Sequence, residues 1–518
     1  MPLSGVPLQG PVVVADLLAR GLALKPDEPA LVSTATQWSW RELEAVSYRL
    51  AANFLAIGLK PGDRVASLMP NRVELVVHYL ACLRAGLVAM PLNYRYTPPE
   101  IDYALEVGGA SILLAHQERD ADLALSDRAE NLPKGVIRYA DADRPLPEGP
   151  NLASLMATPP PNVVLPIPRP DAPAMILFTS GSTGKPKGVT HTHRSLGYIL
   201  ASTVASFRLG PDDIVLPGLS ISHIAGIGYS LSALAAGGRV DVARKYVDEE
   251  LLQLLRKTRP TAIVMLPASL FRLIEDPDTT AGDFRSLRLC IVGGDKITNV
   301  LEDEFRALTG LQITTNYGMT EIGFTTMCPL GETRPGSIGR PLAGFSLSIR
   351  DEHGAELPAG REGRLWVTSN TVMAGYWDNP QATAEAIVDG WLDTGDIVSA
   401  DDDGYLRFTG RKKQIIIHDG SNISPQEIEE TLQAHVTVAD VGVVGVRDLV
   451  HGENVRAYVT LKPGATRPPE QELIAFARAR VGYKAPEEIV FLDELPLNAV
   501  GKVDRIRLKE MAAQTLHR

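Results

Sequence analysis

The stretch that most constrains this chain runs from Thr179 to Val189 and reads Thr-Ser-Gly-Ser-Thr-Gly-Lys-Pro-Lys-Gly-Val. It follows a short apolar run, Ala174 to Phe178, that predicts a strand. Four hydroxyl side chains, three glycines and two lysines stand within these eleven residues. Glycines let backbone N–H groups approach an anion closely, hydroxyls add donors, and lysines supply charge. The stretch therefore predicts a loop that binds polyphosphate.

Two other interpretations of this loop are weaker. A Walker A loop needs a glycine five residues before its Gly-Lys pair and a Ser or Thr after the lysine. Thr179 and Pro186 stand at those positions here. A flexible Ser/Gly-rich linker would not follow a strand and would not contain Lys-Pro-Lys-Gly.

Composition narrows the class of protein. A chain of 518 residues is too long for one core and predicts two or more domains. Apolar residues at 45% and charged residues at 22% are typical of a globular enzyme. A net charge of −11 without a basic stripe argues against nucleic acid as the main partner.

The cysteines and the apolar runs bear on the compartment. Cys82, Cys290 and Cys328 are few, odd in number and far apart, so their spacing predicts neither a disulfide framework nor a zinc site and favours a reducing cytoplasm. The most apolar run, Leu75 to Leu92, contains His78 and Arg84, which favours a buried helix and strand over a membrane span. No secretion signal precedes it. We expect a cytoplasmic protein with no integral membrane segment.

Local patterns predict alternating helices and strands. Ser39 and Glu42 form a capping-box pattern, and apolar residues then recur at helical spacing as far as Gly58, which predicts a helix from about Trp40 to Ile57. Alternation of this kind continues through the first part of the chain. It predicts parallel sheets covered by helices.

The polyphosphate loop resembles the signature loop of the adenylate-forming superfamily, which includes acyl-CoA synthetases, the adenylation domains of peptide synthetases, and luciferases. The resemblance covers nearly the whole chain and is closest to acyl-CoA synthetases of the fatty-acid–CoA ligase type. It is carried by five further motifs: Tyr317–Glu321, Gly375–Trp377, Trp391–Asp396, Gly410–Ile415 and Leu495–Arg505.

The resemblance implies an α/β fold with two domains. A large N-terminal AMP-binding body of helix-covered, mostly parallel sheets would span residues 1–411. A small mobile C-terminal α+β lid would span residues 412–518, and Ser424 to Glu427 is typical of a helix start with an N-cap and a Glu that reaches back. The predicted lid strands are Gln414–His418, Val441–Val446, Arg456–Leu461 and Ile489–Leu492; the predicted lid helices are Gln426–Ala434, Glu470–Val481 and Arg505–Gln514.

The resemblance also assigns nucleotide contacts. Tyr317 would stack on adenine, Thr320 would contact phosphate, and Glu321 would bind magnesium. Asp396 and Arg411 would contact ribose, and Lys502 would offset the repulsion between carboxylate and α-phosphate during adenylation. The remaining residues assigned to the nucleotide are Thr179, Ser180, Gly181, Ser182, Thr183, Gly184, Lys187, Gly294, Asp295, Asn316, Gly318 and Met319.

His223 carries the prediction about substrate. Acyl-CoA synthetases often have His beside the carboxylate pocket, whereas peptide-synthetase domains usually place Asp there to hold the α-ammonium group of an amino acid. An amino acid substrate is therefore disfavoured. Gly226, Ile227 and Gly318 complete an apolar pocket, so we expect an aliphatic or fatty carboxylate. On the thiol side, Gly420 and Ser421 would face CoA, and Gln414 would stand at the hinge.

The implied activity is an acyl-CoA synthetase that uses ATP, Mg²⁺ and CoA, with His223, Glu321 and Lys502 in catalytic roles. Four alternatives stay open: an aryl-acid CoA ligase, an enzyme that loads a carrier-protein phosphopantetheine, a luciferase-like oxidation, and a nucleotide sensor or a relative that has lost one half-reaction. Departures from the family pattern at Asp295, Gln414 and Asn498 permit the last. The sequence leaves the oligomeric state open, a homodimer included.

Overall fold

A computed structural model of the chain describes residues 3–140, 149, 151–159, 162–179, 186–244, 249–294, 297, 299–332, 334–411, 414–418, 421–448, 452–498 and 501–515. By its contacts the chain divides into two units. Of the described residues, the large unit contains those up to Leu347 together with Val367–Leu392, and the small unit contains Ser348–Trp366 and those from Asp393 onward. The domain boundary expected between Arg411 and Lys412 stays a prediction.

The helices, in chain order, are α1 (Ala19–Leu24), α2 (Trp40–Ala56), α3 (Val73–Ala85), α4 (Pro98–Gly108), α5 (Asp120–Leu123), α6 (Asp127–Glu130), α7 (Leu152–Ala157), α8 (His193–Phe207), α9 (Ile224–Ala235), α10 (Glu249–Thr258), α11 (Pro267–Glu275), α12 (Asn299–Thr309), α13 (Pro380–Ala386), α14 (Pro425–Gln433), α15 (Glu470–Val481) and α16 (Arg505–Thr515). None of these helices of the described chain combines the length and apolar composition needed to cross a membrane.

The strands, in chain order, are β1 (Leu3–Ser4), β2 (Pro29–Val32), β3 (Gln37–Ser39), β4 (Arg64–Leu68), β5 (Val88–Pro91), β6 (Ile112–His116), β7 (Val136–Tyr139), β8 (Pro173–Thr179), β9 (Lys187–Thr192), β10 (Ile214–Gly218), β11 (Arg239–Asp241), β12 (Ala262–Met265), β13 (Leu289–Gly293), β14 (Ile313–Met319), β15 (Gly323–Met327), β16 (Arg340–Pro341), β17 (Ser346–Arg350), β18 (Gly363–Thr368), β19 (Gly375–Tyr376), β20 (Ile387–Val388), β21 (Trp391–Ala400), β22 (Leu406–Arg411), β23 (Ile416–His418), β24 (Ser421–Ile423), β25 (Val438–Asp448), β26 (Gly452–Leu461) and β27 (Glu488–Phe491).

Two sheets form the framework of the large unit. A nine-stranded sheet has the order β16-β15-β14-β13-β12-β10-β11-β2-β3, and a seven-stranded sheet has the order β19-β9-β8-β5-β4-β6-β7. Their central strands pair in parallel, and antiparallel pairs stand toward the edges. Because parallel neighbours need crossover connections, helices alternate with strands along the chain. The predicted helix-covered, mostly parallel body is confirmed.

The small unit contains a separate sheet. Its five strands have the order β24-β23-β26-β25, with β27 beside β26. The apolar side chains that α14 and α15 bury lie in one core with those of this sheet, including Ile428, Leu432 and Leu473. The strands and helices predicted for the C-terminal α+β unit are confirmed, within a few residues at their ends.

Helix starts show which local predictions succeed. Ser39 and Glu42 form the predicted capping box, and α2 begins at Trp40 as expected. At α14 the helix also begins where predicted, but the capping bonds differ. The Ser424 hydroxyl donates to the Thr409 carbonyl at 2.6 Å, and Glu427 binds Lys484 instead of reaching back. Ser424 is the N-cap residue of α14 as expected, but the expected capping hydrogen bonds are absent, because β22 and Lys484 bind the two side chains.

Candidate functional site

The loop predicted to bind polyphosphate is flanked by two adjacent strands. β8 ends at Thr179, β9 begins at Lys187, and these two residues lie opposite each other in an antiparallel pair. A Walker A loop leads instead from a strand into a helix, so the pairing agrees with the rejection of that motif. Within the loop, the predicted site residues Ser180 to Gly184 lie outside the described residues.

The Glu321 carboxylate is buried in the large unit, with 6% of the residue exposed. The Tyr376 hydroxyl donates to its Oε1 at 2.9 Å. Burial, followed by the charge and hydrogen bond of Glu321, raises the pKa of Tyr376, which keeps the hydroxyl protonated as a donor. The Lys187 ammonium lies 4.8 Å from the centroid of the Tyr376 ring. The strand that leaves the loop is thus connected, through Tyr376, to Glu321.

Thr320 is held through its backbone by a buried histidine. His191 is completely buried on β9, and its Nε2 lies 2.7 Å from the Thr320 carbonyl oxygen. A carbonyl only accepts, so Nε2 carries the proton and donates. Burial lowers the pKa of His191 to about 4, although the bond to Thr320 opposes this shift. The ring is therefore neutral near pH 7.

Further residues assigned to the nucleotide lie on β14 and directly after β13. Asn316 follows the buried part of β14, and its amide donates to the Tyr229 hydroxyl at 3.1 Å. The β14–β15 pairing shifts register between Tyr317 and Gly318, where the chain leaves regular pairing. Gly294 has a φ of +84°, a conformation that favours glycine. Asp295 lies outside the described residues.

The predicted acid pocket surrounds the start of α9. His223 is the N-cap residue and is half-buried, and Ile227 is buried one turn further on. A Cβ at Gly226 would lie 2.3 Å from the Ser220 carbonyl oxygen. Close approach of the preceding backbone, and not an open pocket, therefore requires glycine at this position. At Gly318 a Cβ would likewise meet the Gly323 carbonyl oxygen at 2.3 Å.

In the small unit, Asp396 and Arg411 lie opposite each other on β21 and β22. Asp396 is completely buried, and the half-exposed Arg411 donates from Nε to its Oδ1 at 2.8 Å. Thr394 also accepts from the Asp396 backbone N–H. The two residues that the resemblance assigns to ribose are therefore brought together.

Lys502 is exposed in a short hairpin of the small unit. Leu497 and Val503 form an isolated bridge, and Gly501 has a φ of +82° in the turn between them. The Asn498 side chain accepts from the Lys502 backbone N–H at 3.1 Å. Asn498, a departure from the family pattern, thus closes the turn that bears the lysine.

The hinge and thiol-side residues are described only in part. Gln414 is half-buried, and its backbone N–H donates to the Arg411 carbonyl at 2.9 Å. Ser421 begins β24 opposite His418 of β23. Gly420 lies outside the described residues.

Sequence reasoning missed His191 and assigned no role to Tyr376. Each contacts a residue far away along the chain, Thr320 and Glu321 respectively. One sequence signal was available for His191. It lies in the strand that follows the signature loop, and because side chains alternate between the two faces of a sheet, its position in that strand determines which face it occupies.

Comparison with known proteins gives two family matches. Residues 18–377 match the family described as AMP-binding enzyme, and residues 427–502 match the AMP-binding enzyme C-terminal domain. These two segments include most of the sites described above.

Relatives and solved structures cover almost the whole chain. A fatty acid–[acyl-carrier-protein] ligase, ScoC of Streptomyces coeruleorubidus, is 32% identical over 94% of each protein. A feruloyl-CoA synthase of an Amycolatopsis species is 33% identical over 93% of this chain and 96% of that protein. The crystal structure of ATP-bound MatB from Rhodopseudomonas palustris is 32% identical, with a TM-score of 0.88 over 96% of this chain and 98% of that one.

Proposed function

The chain belongs to the AMP-binding enzyme family and is an AMP-forming acid–CoA ligase, and we propose that it activates an apolar carboxylic acid, aliphatic or fatty. ATP and CoA are its co-substrates. In the first half-reaction a carboxylate oxygen attacks the α-phosphorus of ATP, an acyl-AMP anhydride forms, and pyrophosphate leaves. In the second, the CoA thiolate attacks the acyl carbonyl, a thioester forms, and AMP leaves. Adenylation is needed because a free carboxylate has a poor leaving group.

The buried Glu321 carboxylate of the large unit is the observation that supports the use of a magnesium nucleotide. Burial of a carboxylate is costly unless the charge has partners, and Glu321 keeps its place through the Tyr376 hydroxyl at 2.9 Å. The same Tyr376 ring contacts Lys187 at the end of the polyphosphate loop. An oxygen ligand and a cation on neighbouring elements suit a magnesium nucleotide.

Glu321 fits the magnesium ion that the family implies. Among the described residues no group of three or more His, Cys, Asp or Glu side chains could hold a metal. Mg²⁺ usually takes one or two carboxylates together with substrate phosphates and water. A single buried carboxylate near the loop matches that donor set. When bound, the ion would offset the charge that develops on the leaving pyrophosphate.

The other nucleotide roles follow the motifs. In the large unit, Thr179 to Gly184 and Lys187 would contact the phosphates, Thr320 would add a hydroxyl, and Tyr317 would stack on adenine. The remaining nucleotide contacts would come from Gly294, Asp295, Asn316, Gly318 and Met319.

The small unit would supply groups to both half-reactions. The Asp396–Arg411 pair would contact the ribose, and Lys502 would be the cation of the adenylation step. Gly420 and Ser421 would face CoA, and Gln414 would act as the hinge around which the lid turns between half-reactions.

His223 supports an acid without an ammonium group. It is half-buried at the start of α9, where a carboxylate would be needed to pair an amino acid's α-ammonium. The apolar Ile227 beside it favours an apolar acyl group. The relatives leave two other assignments: ScoC is a ligase for an acyl-carrier protein, and the feruloyl-CoA synthase is named for an aryl acid. A carrier-protein thiol or an aryl acid is therefore the second candidate.

Pyrophosphate release tests this function. Purified protein with MgATP would be assayed against amino acids and against carboxylates from acetate to long-chain and aryl acids, each with CoA, with a phosphopantetheinylated carrier protein, or with neither. We expect release that depends on an apolar acid and turns over faster with CoA. Turnover only with the carrier protein would replace the CoA assignment, and preference for an amino acid would contradict the role of His223.

A further inference from the structure

The dipeptide Thr320–Glu321 is held by three hydrogen bonds. Their partners lie on β9, on β19 and in the segment that precedes β19. His191 of β9 binds the Thr320 carbonyl at 2.7 Å. The Met373 backbone N–H donates to the Glu321 carbonyl at 2.8 Å. The Tyr376 hydroxyl donates to the Glu321 carboxylate at 2.9 Å. Backbone and side chain of the dipeptide are therefore both fixed.

These contacts come from two paired strands of the large unit and the residues beside them. β19 pairs antiparallel with β9, with Tyr376 opposite Val189 and Gly375 opposite Thr190. The Trp377 backbone N–H donates to the Gly188 carbonyl at 2.6 Å. Pairing with β9 thus sets the position of Tyr376 relative to the loop that ends at Lys187.

A hydrogen bond with α13 holds the Tyr376 backbone as well. Its backbone N–H donates to the Thr383 hydroxyl of α13 at 2.9 Å. A hydroxyl donor on one oxygen restricts rotation of a carboxylate, and because a carboxylate has about four lone-pair sites, one such donor does not prevent it from binding a cation.

We propose that Tyr376 and His191 are positioning residues that hold Glu321 in the orientation in which its carboxylate binds the Mg²⁺ of the nucleotide. This inference rests on the proposed function, in which Glu321 is the metal ligand. Neither residue touches the reacting atoms in this role. Tyr376 orients the carboxylate, and His191 anchors the backbone that carries it.

The test is calorimetric binding of ATP with Mg²⁺ and with EDTA in its place. Tyr376→Phe removes the hydroxyl and keeps the ring over which Lys187 lies. Partners that orient metal ligands typically contribute about 10–100-fold in metal affinity. We expect Tyr376→Phe to weaken ATP binding about tenfold with Mg²⁺ and to leave binding in EDTA unchanged. Equal weakening in both conditions, or no change in either, would overturn the proposal.

Two controls keep the result specific. Tyr48→Phe removes the hydroxyl of a tyrosine on α2 that is 38% exposed, and it should alter neither measurement. His191→Leu removes the ring that binds the Thr320 carbonyl, and we expect it too to weaken binding more with Mg²⁺ than with EDTA. The unaltered protein distinguishes failure of the positioning role from failure of the proposed function. If its affinity for ATP were the same with Mg²⁺ and with EDTA, Glu321 would not act as a metal ligand, and the positioning role would fail with it.

Discussion

Lys502 and Gly226 are single residues whose roles can be tested against matched variants. At Lys502 the charge of the side chain can be tested, and at Gly226 the absence of a side chain can be tested. The lysine is an exposed cation in a closed turn. The glycine lies where two backbone segments nearly touch.

Replacement of Lys502 should separate the two half-reactions. Lys502→Ala removes the cation proposed to offset repulsion between carboxylate and α-phosphate, so we expect acyl-AMP formation to fall by a factor of about 10² or more. Thioester formation from supplied acyl-AMP should be largely retained. Pyrophosphate release and CoA consumption measure the two steps. Lys509→Ala, at another exposed lysine of the small unit, is the control. Equal loss of both steps would refute the role.

A methyl group at Gly226 should destabilise the large unit. Its Cβ would lie 2.3 Å from the Ser220 carbonyl oxygen and 2.7 Å from the Ile221 Cα, and both are backbone atoms that cannot swing aside. We expect Gly226→Ala to lower the free energy of unfolding by about 1–3 kcal/mol, against a helix-propensity gain of at most about 1 kcal/mol. Urea unfolding measures the change.

The control for Gly226 is Gly210, where an added Cβ meets nothing within 4 Å. Gly210→Ala should change the free energy of unfolding by well under 1 kcal/mol. An increase in stability for Gly226→Ala would show that the backbone of residues 220–221 relaxes easily.

At the scale of elements, α14 contains a side chain, Glu427, that the sequence assigns to a helix cap but that binds a lysine outside the helix instead. The Lys484 ammonium lies 2.8 Å from Glu427 Oε2 and 2.9 Å from its Oε1, and both side chains are partly exposed. The pair joins α14 to the segment after α15. We expect a double-mutant cycle with Glu427→Gln and Lys484→Met to give a coupling of about 0.5 kcal/mol in the free energy of unfolding.

The comparison pair for that cycle is Arg467 and Glu470. They lie 3.8 Å apart and are at least half exposed, so their coupling should be smaller. If the Glu427–Lys484 coupling were zero, the contact would add nothing to the attachment of α14, which would then depend on its apolar face and on other contacts such as Glu429 with Arg505.

The same elements show how far sequence reasoning reached. The start of α2, the strand before the polyphosphate loop and the helices α15 and α16 were predicted because their signals are local: caps, apolar periodicity and turn residues. The bonds His191–Thr320 and Tyr376–Glu321 join residues 129 and 55 positions apart. They depend on strand order and register, which one sequence does not specify, and so these two contacts were not foreseen, although Thr320 and Glu321 themselves were predicted as site residues.

At the scale of the whole molecule, buried histidines make the stability of the large unit depend on pH. His78 is completely buried on α3, beside the Cys82 sulfur and against the rings of Phe54 and Tyr79. Burial lowers the pKa of His78 to about 3 and that of His193 to about 4, as it does for His191. These rings are therefore neutral in the folded protein at physiological pH.

The sign of the effect follows from proton uptake. An unfolded histidine has a pKa of about 6.5, so between about pH 6.5 and the lowered folded value the unfolded state binds a proton that the folded state does not. The stability contributed by a neutral buried histidine is full above about pH 6.5 and is lost as the pH falls, by about 1.4 kcal/mol for each pH unit and each residue. The large unit should therefore weaken steeply in mild acid.

His78 offers the cleanest test because its environment is apolar. His78→Leu removes the titrating group while keeping a buried side chain. Between pH 7.5 and pH 5.5 the variant should lose about 1.4 kcal/mol less of its free energy of unfolding than the unaltered protein, as measured by urea unfolding at both values. Leu80→Met, on the same helix, adds no titrating group and should leave the pH dependence unchanged. If the free energy of unfolding fell equally with and without His78 between these pH values, the pKa of His78 would not be lowered by folding. Other groups would then account for the acid sensitivity.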